Sequence, residues 1–382
     1  MKNKWFIMGG LAAGIAFASF DSQAIDTKAR NMILVDYTTG TYMYEKDIAT
    51  PIPPASMSKL MTVYMIFDKL RDGSLSLDDT FKVSENAWRK GGAASGGSTM
   101  FLAIGDEVKV EELLQGIIIQ SGNDACIVAA ENIAGDEETF VRMMNEKAKE
   151  LGLKNSTFAN ATGLPHPDHK MSVEDLAILA RRIIEDFPQF YHLFSQKEFV
   201  YNHIRQGNRN PLLYSMPYAD GLKTGHTDEA GYCLTASAKK GDRRIIGVMT
   251  GLESNKERSD EADKMMSWAF REYDNYTLIK KGDKLADIPV WYGTDKTVPL
   301  VASEDIIRTL KKSVYNQAKI KIAYDRPVKA PIEMGQQLGV LKIELPDNQQ
   351  EEVPLYAGQT INKIGLAAKI MANIKYLLSG GF

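Results

Sequence analysis

The chain has 382 residues, with 46 Lys and Arg against 49 Asp and Glu, a formal net charge of −3. No global basic field points to nucleic acid. With 44% hydrophobic and 25% charged residues, the composition is globular and the length suits one large domain plus a smaller one.

The first 24 residues read as an export signal. Lys2 and Lys4 precede an apolar run from Trp5 to Phe20, and Ser22-Gln23-Ala24 places small residues for cleavage after Ala24. The mature chain is then expected to start at Ile25, outside the cytoplasm. The only cysteines, Cys126 and Cys233, read as buried and reduced, although export would permit a disulfide. His166 and His169 share a Pro-containing loop but form no zinc pattern with the cysteines. No metal or cofactor is expected.

An apolar run at 32–36, a turn ending in Gly40 and a second run at 42–44 predict a β-hairpin. Pro51, Pro53 and Pro54 then punctuate the chain before Ser56. Residues 57–70 are apolar on nearly every face, which predicts a buried central helix ended by Asp72-Gly73. Further helices are predicted near 110–120, 124–133, 137–151 and 173–184. Runs at 231–238 and 243–250, joined by Lys239-Lys240-Gly241-Asp242, predict a hairpin, and 257–270 a helix. Beyond about Tyr276, short Val/Ile/Leu runs alternate with Lys, Asp, Gly and Pro, as in a small all-β domain. Its sequence names no partner. Residues 361–382 contain three lysines and no acid; wound as a helix they present a broad apolar arc and a narrow polar stripe of Asn362, Lys369 and Asn373. Such a segment suits an interfacial membrane helix, the alternative being a helix docked on its own β domain.

Three short motifs carry the chemistry. Ser56-Met57-Ser58-Lys59 puts a hydroxyl and an amine one helical turn apart. Burial can lower a lysine's pKa far enough for it to act as base toward a serine nucleophile. Ser121-Gly122-Asn123 lies between two predicted helices and, alone, reads as a capping loop. Lys223-Thr224-Gly225 precedes the run at 231 and offers a cation, a hydroxyl and an unobstructed backbone, which suits a carboxylate; alone, it reads as a basic turn before a hairpin.

Together, S-x-x-K, S-x-N 65 residues later and K-T-G 102 residues further on have the order and approximate spacing of the penicillin-interacting serine enzymes. The flanks Pro54-Ala55-Ser56-Met57-Ser58-Lys59-Leu60-Met61-Thr62, Gln120-Ser121-Gly122-Asn123-Asp124-Ala125 and Asp220-Gly221-Leu222-Lys223-Thr224-Gly225-His226-Thr227 resemble the low-molecular-mass serine D-Ala-D-Ala carboxypeptidases. The resemblance spans essentially the whole mature chain and is strongest from Ile33 to Gly251. It implies an α+β catalytic domain over 25–275, an antiparallel sheet covered by helices with the Ser56 helix at its centre. A β-rich domain over 276–360 and a membrane-anchoring helix over 361–382 would follow.

The resemblance also implies roles. Ser56 would be the acylated nucleophile, Lys59 its base and Ser121 a proton relay assisted by Lys223. Asn123 would hold the substrate amide. The backbone N–H groups of Ser56 and His226 would form the oxyanion hole. Lys223, Thr224 and Gly225, with Arg209, would receive the terminal carboxylate. The implied ligands are peptidoglycan stem peptides and, as inhibitors, β-lactams, at the periplasmic face of a bacterial inner membrane. A class A β-lactamase would need an E-x-x-L-N loop after the middle motif, and none of the eight glutamates between Ser121 and Lys223 begins one. A D,D-endopeptidase and a non-catalytic wall-binding protein stay open as alternatives.

Overall fold

The computed structural model describes residues 25–326, 328–344 and 350–378. The export signal expected at 1–24 lies outside these, as do residues 379–382. The chain divides into two compact units, one ending at Arg271 and the next beginning at Glu272.

The first unit is built on a five-stranded antiparallel sheet. Its strands are β1 (Asn31–Asp36), β2 (Tyr42–Lys46), β3 (Ala219–Thr227), β4 (Gly231–Lys240) and β5 (Arg243–Leu252), in the order β2-β1-β5-β4-β3. Every residue of β1 is buried, because helices cover both faces of the sheet. Alternation along the strands divides the burial. Ile33, Val35, Ile246 and Val248 join the core around helix α1 (Lys59–Arg71). On the other face, a Cβ at Gly247 would stand 2.8 Å from the methyl of Met265 and 3.1 Å from Leu34. That face therefore lies under the helix Asn255–Glu272.

Helix α1 is apolar all round, and Leu60 to Phe67 are all at most 5% exposed. Each large side chain there contributes about 1.5–3 kcal/mol of burial. Phe67 meets Phe187, Phe190 and Phe194 at centroid distances of 5.3–6.3 Å, which fixes the far end of the helix. Ahead of α1, Ala55–Ser58 form one tighter 3-10 turn, so Ser56 precedes the α-helix proper instead of opening it.

Helix α2 (Glu85–Gly91), absent from the sequence reading, packs on α4 (Asn123–Ala134). Between them in sequence lies α3 (Val110–Gln115), which widens into a π-helical turn over Gly116–Gln120. Helices α5 (Glu137–Glu150) and α6 (Val173–Asp186) complete the helical layer. K-T-G is not a turn: it lies within β3, an edge strand paired with β4 in the register Lys223↔Thr235 and Gly225↔Cys233. Two glycines in nine residues hide this strand from a propensity argument.

The second unit contains a two-stranded sheet, Tyr273–Ile279 with Ile306–Lys311, and a six-stranded sheet. Its core gathers Ile288, Val298, Leu300, Leu341, Ile343 and Leu355. The terminal helix runs Leu366–Leu378. The five residues before it do not join the helix as the amphipathic pattern predicts: Ile361 and Lys363 instead make β-bridges to Ile332 and Gly293. No described helix is long and apolar enough to cross a membrane.

Candidate active site

Ser56 is half-buried at the junction of two cavities of about 780 and 510 Å³, both of which it lines. Its turn is held from two sides. Ala55 has a left-handed φ of 49°, and its carbonyl abuts Gly163, where a Cβ would stand 2.1 Å away. Gly225 lies against the same turn: a Cβ there would stand 3.1 Å from the Pro54 carbonyl oxygen and 3.2 Å from Ala55 Cβ and Met57 Cγ. The glycine of K-T-G thus lets β3 approach the nucleophile turn.

Lys59 is fully buried, and its Nζ faces only oxygen acceptors. It lies 3.0 Å from Ser56 Oγ and 2.8 Å from Asn123 Oδ1, and donates to the Thr162 carbonyl. None of the ion pairs among the described residues involves it. Burial above all, with the positive charge of Arg209, brings its pKa down to about 8. The amine is therefore partly neutral near physiological pH and sits at hydrogen-bond distance from the hydroxyl it would deprotonate.

Lys223 is also buried, and its Nζ donates to the Thr224 carbonyl at 3.3 Å. Burial, then the charges of Lys59 and Arg209, hold it well below the ordinary lysine range. Ser121 sits in the left-handed region at φ 66°, capping the π-helical turn with its N–H bonded to the Gly116 carbonyl. That hydroxyl is buried and has no partner among the described residues. A buried unpaired hydroxyl costs about 1–3 kcal/mol, so the fold carries it against its own stability. Thr224 lines the larger cavity beside Ser121. His226 is exposed on the same wall, its ring 4.0 Å from that of Tyr232. Arg209 reaches in from an exposed position and donates to Ser98 Oγ at 2.6 Å. Of the nine residues singled out in the sequence, seven line these two cavities; Lys59 is buried against Ser56 and Asn123, and Lys223 against the Thr224 carbonyl.

Sequence reasoning missed Ser98, Thr162 and Arg258. Arg258 lines the larger cavity, is buried, and has an Nε with no partner among the described residues. Its guanidinium stands 5.6 Å from the Tyr232 ring centroid. The available signal was its place on the buried stripe of its helix, with Ala262 and Met265, where an arginine is out of pattern. Cys126 and Cys233 are both buried and free.

Residues 18–254 match the family D-alanyl-D-alanine carboxypeptidase, and residues 273–363 match the penicillin-binding protein 5 C-terminal domain. The D-alanyl-D-alanine carboxypeptidase DacC of Escherichia coli is 37% identical over 95% of this chain and 94% of its own. DacF of Bacillus subtilis is 39% identical over 92% and 91%. Penicillin-binding protein 5 of Haemophilus influenzae superposes with a TM-score of 0.78 at 32% identity, over 89% of this chain and 99% of that one. The chain belongs to the D-alanyl-D-alanine carboxypeptidase family of serine-type penicillin-binding proteins.

Proposed function

We propose that Ser56 carries the acyl group and that the surrounding residues divide the chemistry as follows. Ser56 Oγ attacks the carbonyl between the two terminal D-alanines of a stem peptide while its proton passes to Lys59 Nζ. The Ser56 and His226 backbone N–H groups receive the developing oxyanion. The C–N bond breaks, and the departing D-Ala amine takes a proton through Ser121, assisted by Lys223. Asn123 holds the substrate amide. Lys223, Thr224, Arg209 and the additional cation Arg258 form the carboxylate side of the site. Water then hydrolyses the acyl-enzyme.

The observation that carries this reading is Lys59: a buried amine with no carboxylate partner, 3.0 Å from Ser56 Oγ. A β-lactam presents an amide and a carboxylate at similar separation and should acylate the same hydroxyl. Intact mass after benzylpenicillin treatment should rise by one inhibitor mass, and peptide mapping should place it on Ser56. An adduct on any other residue would sink the assignment.

We also propose that the enzyme works at the periplasmic face of the inner membrane, held there by the terminal helix. Leu366, Ile370, Met371 and Ile374 are 48–77% exposed, while Asn373 on the polar side accepts from the Tyr292 hydroxyl at 2.7 Å. The helix thus turns polar groups toward its β domain and leaves apolar ones uncovered, as an interfacial segment requires. The double variant Leu366→Glu/Met371→Glu should bind anionic liposomes at least about tenfold more weakly in cosedimentation, with release of D-Ala from a soluble peptide retained. Equal liposome binding would remove the helix from this role.

A further inference from the structure

The two cavities that meet at Ser56 share Ser98, Arg209 and His226 and differ in the rest of their lining. Arg258, Lys256 and Thr224 line the larger one. The smaller one is walled by Gly96, Gly97, Phe101 and Leu164, with Phe101 39% and Leu164 42% exposed. Arg209 borders both cavities, whereas Arg258 lines only the larger and Asn123, assigned to the substrate amide, only the smaller; the carboxylate then falls in the larger cavity and the smaller one lies on the acyl side of the scissile bond.

Phe101 reaches that cavity through an unusual backbone. Its φ is 68°, a left-handed conformation that a bulky side chain rarely adopts. One carboxylate over-determines it. Asp124 is fully buried and appears in none of the ion pairs among the described residues. It accepts from the amides on either side of Phe101, Met100 N–H at 3.0 Å and Leu102 N–H at 3.2 Å, and from the Thr99 hydroxyl at 2.5 Å. With both flanking amides drawn inward, the chain at Phe101 turns outward. The Phe101 N–H donates back to Thr99 Oγ1 at 3.0 Å, and the Met100 carbonyl accepts from Gln206 at 3.2 Å. Gly122 has its own place here: a Cβ on it would stand 2.8 Å from Asp124 Oδ1 and 3.2 Å from Met100 N. The middle residue of S-G-N is small because this clamp fills the space above it. Strain held by so many bonds is a feature of sites that grip a ligand.

We propose that Phe101, set outward by Asp124, determines specificity on the acyl side by packing on the aliphatic side chain of the residue preceding the two D-alanines. Leu164 lines the same cavity. Asp124 acts only through the loop and is a positioning residue. The inference rests on the assignment of Ser56 and the cationic cavity above.

The test compares kcat/KM for diacetyl-L-Lys-D-Ala-D-Ala and acetyl-L-Ala-D-Ala-D-Ala, which differ in the side chain at that position. Phe101→Ser should lower the lysyl peptide about tenfold and the alanyl peptide less than about threefold, so that the preference collapses. Phe101→Leu should keep most of the preference. Asp124→Asn, which puts a donor where one oxygen now accepts, should reduce the same ratio. Thermal melts of each variant separate this from unfolding. Equal losses on both peptides, or none, would overturn the inference and leave the assignment of Ser56 standing. A wild-type enzyme that released D-Ala from neither peptide would overturn both.

Discussion

Lys59→Gln is expected to acylate with penicillin at least about a thousandfold more slowly than the wild type, while remaining folded. The glutamine amide can still donate toward Asn123 Oδ1, so the buried acceptor at 2.8 Å keeps a partner, but it has no basic lone pair for the Ser56 proton. Lys59→Arg should fail in the same way, because a guanidinium stays protonated throughout the working range. The wild-type pH profile carries a second signature. A pKa of about 8 for Lys59 means that the neutral, proton-accepting form is lost as pH falls below that value. The acylation rate should drop about tenfold per pH unit below 8 and level off above it. Stopped-flow acylation from pH 6 to 9 reads this directly. A rate flat across that range would remove Lys59 as the base.

The site's residue types were legible because three short patterns are order-specific, and Ser56, Lys59, Ser121, Asn123, Lys223 and Thr224 were each named by them. What decides their geometry was not legible. Ser121 adopts φ 66° as the left-handed cap of the π-helical turn, its N–H bonded to the Gly116 carbonyl, and the sequence reading had no π-helical turn for it to close. Lys223-Thr224-Gly225, taken alone, read as a basic turn before a hairpin, whereas pairing with β4 makes it an edge strand. Arg258 sits 35 residues beyond Lys223 on another element and reaches the cavity only through the tertiary fold. Helix α1 was visible because it is apolar on nearly every face, and α5 because one periodic face, with Phe140, Met144 and Ala148, decides it. The terminal helix was overextended by five residues because composition does not report the β-bridges made by Ile361 and Lys363.

Acid should weaken the catalytic unit through His169, with an effect on stability separable from that of Lys59 on rate. His169 is buried, and its Nδ1 accepts the Ala159 N–H at 3.3 Å, which places the ring proton on Nε2. That Nε2 has no partner among the described residues. Protonation would put a second proton on Nδ1, facing the Ala159 donor. Burial, and then the nearby charge of Lys59, lower the pKa from 6.5 to about 4. The unfolded chain therefore binds the proton more readily than the folded one between those values. The stability contribution is fully present above pH 6.5 and is lost as pH falls toward 4, by about 3 kcal/mol. Urea unfolding at pH 7.5 and 4.5 should show His169→Asn losing about 2 kcal/mol less between the two conditions than the wild type; equal losses would exclude His169 as the source. The neighbouring segment carries the acceptors that hold the base. Ala161 O receives the Thr62 hydroxyl at 2.7 Å, and Thr162 O receives Lys59. Opening at Ala159 would thus release the Lys59 side chain as well as the loop. Acid inactivation through Lys59 alone should reverse as soon as pH is restored, whereas inactivation through His169 should track the unfolding midpoint and disappear in His169→Asn.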